Sequence, residues 1–114
     1  MTIEDLVVGV ESCELPVEAF GHRAHVRLAW HYLRTAPLLQ AMVRFAETLQ
    51  TYAAHHGAAG KYDELVTASY VLLIEHRRRE EPSAGWSAFE RANADLFEDG
   101  KALLRRLFSE HGIR

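Results

Sequence analysis

The stretch AFGHRAHVRLAWHYL, residues 19–33, decides how this chain is read. Val26, Ala29, Trp30 and Leu33 recur at the spacing of one helical face, so the pattern predicts a helix from about Val17 to Arg34, ended by Pro37. His22 falls in line with Val26, Ala29 and Leu33, and His25 lies one ridge away beside Ala29 and Tyr32. Side chains three apart on a helix are neighbours, so the two imidazoles are expected to converge between helices. Leucine would fill the same space at no polar cost.

Outward from this helix the pattern stays helical. Thr2 with Asp5 reads as a capping box opening a first helix over residues 2–11, with Ile3, Leu6, Val7 and Val10 as its stripe. Pro16 then punctuates the chain. Leu39, Met42, Ala46, Leu49 and Ala53 suggest the inner face of a third helix from Leu38 to about His55, stopped by HHGAAG. A fourth, from Lys61 to about Arg78, carries Val66, Tyr70, Leu73 and Ile74, and its RRRE end at Arg77–Glu80 reads as a solvated terminus that complements the helix dipole. After EEPSAG, one or two short helices hold Trp86, Phe89, Leu96 and Phe97, and Leu103, Leu104, Leu107 and Phe108 belong to a last one. No segment alternates with the period of a strand. The expected fold is all-α: a compact antiparallel bundle of five to six helices forming a single domain, residues 1–114.

Composition narrows the function classes. Of 114 residues, 48% are hydrophobic and 25% charged, which is globular, and no apolar run approaches the roughly 20 residues that span a bilayer. The start, MTIEDLVVGV, has acids where a secretory signal carries bases, so a cytoplasmic location is expected. Cys13 is the only cysteine, which excludes an internal disulfide and a Cys-rich zinc module; it reads as a packing residue. A net charge of -3 offers no field for a phosphate backbone, so neither nucleic acid nor membrane is expected as a partner.

Three further polar residues share the histidines' oddity. Asp63 lines up with Val66, Thr67, Tyr70 and Ile74, in the first turn of its helix, where exposed N–H groups favour an anion. His56 sits at the edge of the third helix's apolar face, and Glu64 is one residue step off the fourth helix's stripe. Imidazole nitrogen with carboxylate oxygen suits zinc, iron, copper, nickel or manganese, and facing helices of a bundle commonly build such sites. The bland reading stands beside it: buried histidines bonded to carbonyls or acids, and Asp63 as an N-terminal cap. His31, His55, His76 and His111 read as surface residues.

The runs LPVEAFGHRAHVRLAWHYL and HHGAAGKYDELVTASY together resemble a group of small bacterial proteins whose members carry F-x-H-x-x-H-[VL]-x-x-A-W-x-Y-L followed by H-G-x-x-x-K-Y-H-E-T. The resemblance spans most of residues 3–75 and falls on His22 and His25, then on His56, Lys61, Tyr62 and Glu64. It implies a metal or acid–base site made from histidines of two helices and a glutamate. This chain departs from the pattern at Asp63, where the group has histidine, and at Leu65, where it has threonine.

The leading expectation is therefore a divalent transition metal on His22, His25 and Asp63, with His56 or Glu64 as a fourth ligand or general base and Tyr62 or Tyr70 orienting a small-molecule substrate. Two alternatives stay open. One is a non-catalytic interaction protein or homodimer that docks through Trp86, Phe89, Phe97 and Phe108. The other is a metal-free binder or enzyme using a His–Asp pair.

Overall fold

A computed structural model describes residues 1–98 and 102–106, and among them there is no strand. Six α-helices follow in order: α1 (Ile3–Glu11), α2 (His22–Thr35), α3 (Leu38–His55), α4 (Glu64–Glu80), α5 (Trp86–Ala92) and α6 (Asp95–Glu98), with helical residues 102–106 after them and single 3-10 turns at Val17–Ala19 and Ala59–Lys61. The all-α reading holds. No described helix is long and apolar enough to cross a membrane. Leu107, Phe108 and His111 lie outside the described residues.

Local chemistry sets the helix ends. The Thr2 hydroxyl accepts from the Asp5 N–H at 3.1 Å while Asp5 Oδ2 accepts from the Thr2 N–H at 3.1 Å, the reciprocal bonds expected of a capping box. Pro37 stands at the cap of α3, leaving two residues between α2 and α3, so the pair is an antiparallel hairpin. At the far end of α3, Gly57 takes φ +71, the Ala58 N–H bonds the Ala53 carbonyl at 2.7 Å and the Gly57 N–H the Ala54 carbonyl at 3.2 Å. That is a Schellman turn, and the glycine is required by the left-handed residue at its centre.

α2 is the middle of the molecule. It packs on α1, α3, α4 and α6, and for that reason its buried side chains, Val26, Leu28, Ala29, Trp30, Tyr32 and Leu33, extend beyond the single stripe the periodicity suggested. Trp30 meets Trp86 at 5.4 Å and Phe89 at 6.2 Å between ring centroids, so Phe89 is buried in the core and Trp86 and Phe97 are half-buried against it; they are not an uncovered docking face. The stripe of α3 is turned by about one residue step from the expected one. Ala41, Phe45 and Tyr52 are buried, Met42, Ala46, Leu49 and Ala53 flank them, and Leu39 is 74% exposed.

Ion pairs fasten the helices to one another. Tyr32 Oη donates to Glu11 Oε2 at 2.5 Å, Arg44 donates to the same oxygen at 2.6 Å, and the Arg44 guanidinium lies 4.3 Å over the Tyr32 ring, so one carboxylate joins α1, α2 and α3. Burial, reinforced by the bond to Glu11, pushes the Tyr32 phenol up to about 12. The basic end of α4 is no solvated tail. Arg77 makes a two-pronged pair with Asp95, both bonds 2.9 Å, and donates to Asn93 Oδ1, tying α4 to α6. Glu75, 6% exposed, accepts from Arg78 at 2.8 Å and Arg79 at 2.9 Å. Burial alone would raise its carboxyl, but the two guanidiniums outweigh that and hold it below the ordinary range.

Replacing Tyr32 by Phe removes a donor while leaving Glu11 and Arg44 paired. The expected loss is about 1.5–3 kcal/mol, the usual worth of a hydrogen bond to a charged group, read from the urea midpoint at constant slope. A loss under a few tenths of a kcal/mol would show that Glu11 and Arg44 hold α1 without the phenol.

Candidate functional site

At the end of the bundle where α2 begins, α3 ends and α4 begins, the structure holds a cavity of ≈ 450 Å³. Buried Val26, Phe45 and Ile74 form its floor, and His22, His25, His56, Tyr62, Asp63 and Tyr70 all line it. Six of the seven residues singled out from sequence thus meet at one place. Glu64, the first residue of α4, is exposed and does not line it.

The helix bearing the two histidines starts later than expected. Val17–Ala19 is a separate 3-10 turn, Phe20 at φ -110, ψ 60 leaves helical space, and Gly21 in extended conformation caps α2 at His22. Phe20 therefore stands just before the cap, and His25 is the fourth residue inside. Those two positions commonly clamp a helix start by apolar contact, and here their rings stack at 3.8 Å and 11°. Phe20 is buried and meets Tyr52 edge-on at 4.9 Å.

Each of the three imidazoles gives one nitrogen to a backbone carbonyl. His25 Nδ1 is 2.8 Å from the Gly21 oxygen, His22 Nε2 is 2.6 Å from that of Leu96, and His56 Nε2 is 3.1 Å from that of Cys13. A carbonyl only accepts, so each of these nitrogens carries the proton, and a neutral ring then bears a lone pair on its other nitrogen. The His22 ring lies 5.3 Å from Tyr70, and His56 lies 4.3 Å from Tyr52. Cys13, buried at φ 64 just beyond α1, turns its carbonyl to His56, which fits its reading as a packing residue.

Asp63 is not the buried carboxylate its alignment with Tyr70 and Ile74 suggested. It is exposed and caps α4, Oδ1 accepting from the Val66 N–H at 3.0 Å. α4 begins at Glu64, not Lys61, because the chain first closes the Ala59–Lys61 turn. With one oxygen given to the cap, the expected His22, His25 and Asp63 set is not drawn together as ligands: among the described residues no three His, Cys, Asp or Glu side chains form a group that could hold a metal ion. Among the described residues no His–Asp pair is formed at Asp63 either; its bond runs to its own helix.

Two features of the site escaped the sequence reading. Phe20, the stacking partner of His25, was signalled by its place before Gly21, had the helix start been put at His22. The Tyr62 hydroxyl is shut off from solvent without a hydrogen-bond partner among the described residues, and no sequence signal announces that. An orphaned buried hydroxyl costs roughly 1–3 kcal/mol.

No protein-family model, no curated protein and no solved structure matches this chain.

Burial holds the His25 ring below the ordinary imidazole range, with the nearby His22 acting in the same direction and the Gly21 carbonyl opposing. Because the unfolded chain takes its proton near pH 6.5 and the native ring resists it, the stability this imparts is full above about pH 6.5 and is lost as pH falls through the native value. His31, also held low by burial, adds to the same window, whereas Asp5, Glu75 and Asp95, held low as acids, act only below about pH 4.5. Between pH 7 and 5 the urea midpoint should fall, and in His25→Phe that fall should be shallower. An equal slope in both proteins would mean that His25 is not the group resisting protonation.

Proposed function

We propose that this protein binds a small organic molecule with an apolar body in the cavity between the ends of α2, α3 and α4. The observation that carries the reading is that six of the seven residues set apart by sequence, at or near the ends of α2, α3 and α4, line a single cavity of ≈ 450 Å³. That volume falls in the range of roughly 300–1,000 Å³ usual for small-molecule sites, as does the composition: aliphatic and aromatic walls with a few polar groups that orient the guest. Turnover at the site would be acid–base in kind, since the imidazoles are held in fixed tautomers by backbone carbonyls. The lone, buried Cys13 fits a protein of a reducing, cytoplasmic setting.

A metal site is the second reading, favoured by one observation. Ligating histidines commonly give their other N–H to a carbonyl, and all three imidazoles do so here. The engagement of Asp63 in its own helix cap and the separation of the donors weigh toward the organic ligand.

The test is native mass spectrometry and elemental analysis of untagged protein prepared without chelator, with Ala53→Trp as the control that fills the cavity. A small organic molecule carried by the wild type, or a melting-temperature rise with compounds from a fragment panel, is expected, and either should vanish in Ala53→Trp. Saturating a site at a hundred times its Kd stabilises by about 2.7 kcal/mol, a readily measured rise. Near-stoichiometric metal with no organic binding in any form would replace this reading by the metal one.

A further inference from the structure

We infer that the ligand is an aromatic molecule carrying a neutral hydrogen-bond donor, a phenolic O–H or ring N–H, which it gives to Nε2 of His25. The inference rests on the cavity being a small-molecule site. His25 has committed its Nδ1 proton to the Gly21 carbonyl at 2.8 Å, so its remaining polar function is an acceptor. No protein donor meets Nε2 among the described residues, and the ring lines the cavity. The lone pair also has a fixed direction. The stack on Phe20 at 3.8 Å and the bond to Gly21 hold two points of the ring, and Phe20 is itself buried against Tyr52.

His22 and His56 repeat the arrangement. Each donates one ring N–H to a carbonyl, so in its neutral form each has, like His25, a lone pair and no further N–H on the other nitrogen. The chemical complement of such a set is a donor. An aromatic carboxylate would bring a charge toward lone pairs; Lys61 is an exposed cation at the rim, beside the exposed Asp63. An ammonium could donate, but burying it costs several kcal/mol unless it is paired, and Asp63 is exposed with an oxygen already capping α4. Of the three helix ends that meet here, those of α2 and α4 are N-terminal and carry partial positive charge, which also disfavours a cation. The aromatic body follows from the walls: Phe20, Phe45, Tyr52, Tyr62 and Tyr70 surround the space with ring faces and edges.

Four naphthalene probes separate the cases: 2-naphthol, its methyl ether 2-methoxynaphthalene, 2-naphthoate and 2-naphthylmethylammonium, titrated at pH 7 into the full chain and into His25→Phe. In the wild type 2-naphthol should bind about tenfold more tightly than its methyl ether, which can only accept; that ratio should fall to about one in His25→Phe, where the ring and its stack are retained. The second readout needs no variant: in the wild type, the ¹⁵N resonance of His25 Nε2 should shift with 2-naphthol and stay in place with the ether. Equal affinities for naphthol and ether, a silent Nε2 resonance with naphthol bound, or tighter binding of the naphthoate or the ammonium would each overturn the donor assignment while leaving the cavity a ligand site. Binding of none of the four would overturn the small-molecule reading itself.

Discussion

The structure turns on three hydrogen bonds in which an imidazole supplies a proton to a carbonyl. The Cys13 oxygen lies just past the end of α1, Gly21 is the cap of α2, and Leu96 belongs to the four-residue α6. The Cys13 carbonyl, past a helix end, has no continuing helix to pair with, and such a group left alone costs as much as a lost hydrogen bond; the Gly21 carbonyl, at a helix start, also accepts the His25 N–H at 3.1 Å. Leucine at positions 22 and 56 would fill space and remove the bonds to Leu96 and Cys13, whereas the Gly21 carbonyl would keep the His25 backbone N–H at 3.1 Å. At positions 22 and 56 these bonds give imidazoles a reason to stand where periodicity alone asks for an aliphatic side chain; at position 25 the ring also stacks on Phe20. The same bonds join distant parts of the chain: His56 ties the end of α3 to the α1–α2 connection, and His22 ties the start of α2 to α6.

A histidine is suited to this duty because it has a second nitrogen. Once the first is a donor, the ring's other edge is an acceptor, so a group that completes the fold at one end presents chemistry at the other. Serine or asparagine would satisfy a carbonyl as well, but neither would add a flat apolar face, and the stack of His25 on Phe20 uses that face. Structural and ligand-directed roles of these residues are therefore inseparable by loss of stability alone. Phenylalanine at position 25 keeps a ring for the stack while removing the acceptor and the bond to Gly21, whose carbonyl retains its backbone partner, which makes it more informative there than alanine.

What the sequence made legible was what local rules govern. Thr2 with Asp5, the boundaries of α3 between Pro37 and Gly57, and the all-helical pattern depend on neighbours within a few residues, and they appear as expected. The start of α2 was misplaced because Val17, Glu18 and Ala19 are compatible with helix, and the break is made by Phe20 turning into the core ahead of Gly21. Asp63 aligned with an apolar face only because a helix was extended through it; as a cap it sits outside the helical register. The duties of Glu75 and Arg77 were hidden for another reason. Their partners include Arg78 and Arg79 one turn away, but also Asn93 and Asp95 on a later segment, and tertiary pairing of that kind leaves no periodic trace.

The cavity itself is a consequence of those ends being fixed. An antiparallel hairpin of α2 and α3 closed at Ala36–Pro37 leaves its open end to be filled by whatever follows, and here that is the Schellman turn at Gly57, the short 3-10 turn and the cap of α4. These segments are held by local bonds of their own, Ala58 to Ala53, Lys61 to Ala58 and Val66 to the Asp63 carboxylate, rather than by packing over the Phe45 and Ile74 floor. Collapse would bury more apolar surface, and a small domain of marginal stability gains from every such contact. It is opposed by the bonds of His22 to Leu96 and of His56 to Cys13, which tie the ends of α2 and α3 to other segments; the His25 bond to Gly21 stays within the start of α2. The open space and the tethered imidazoles are thus one arrangement: the long-range bonds of His22 and His56 that hold the helix ends in place also hold the walls between which a ligand would lie.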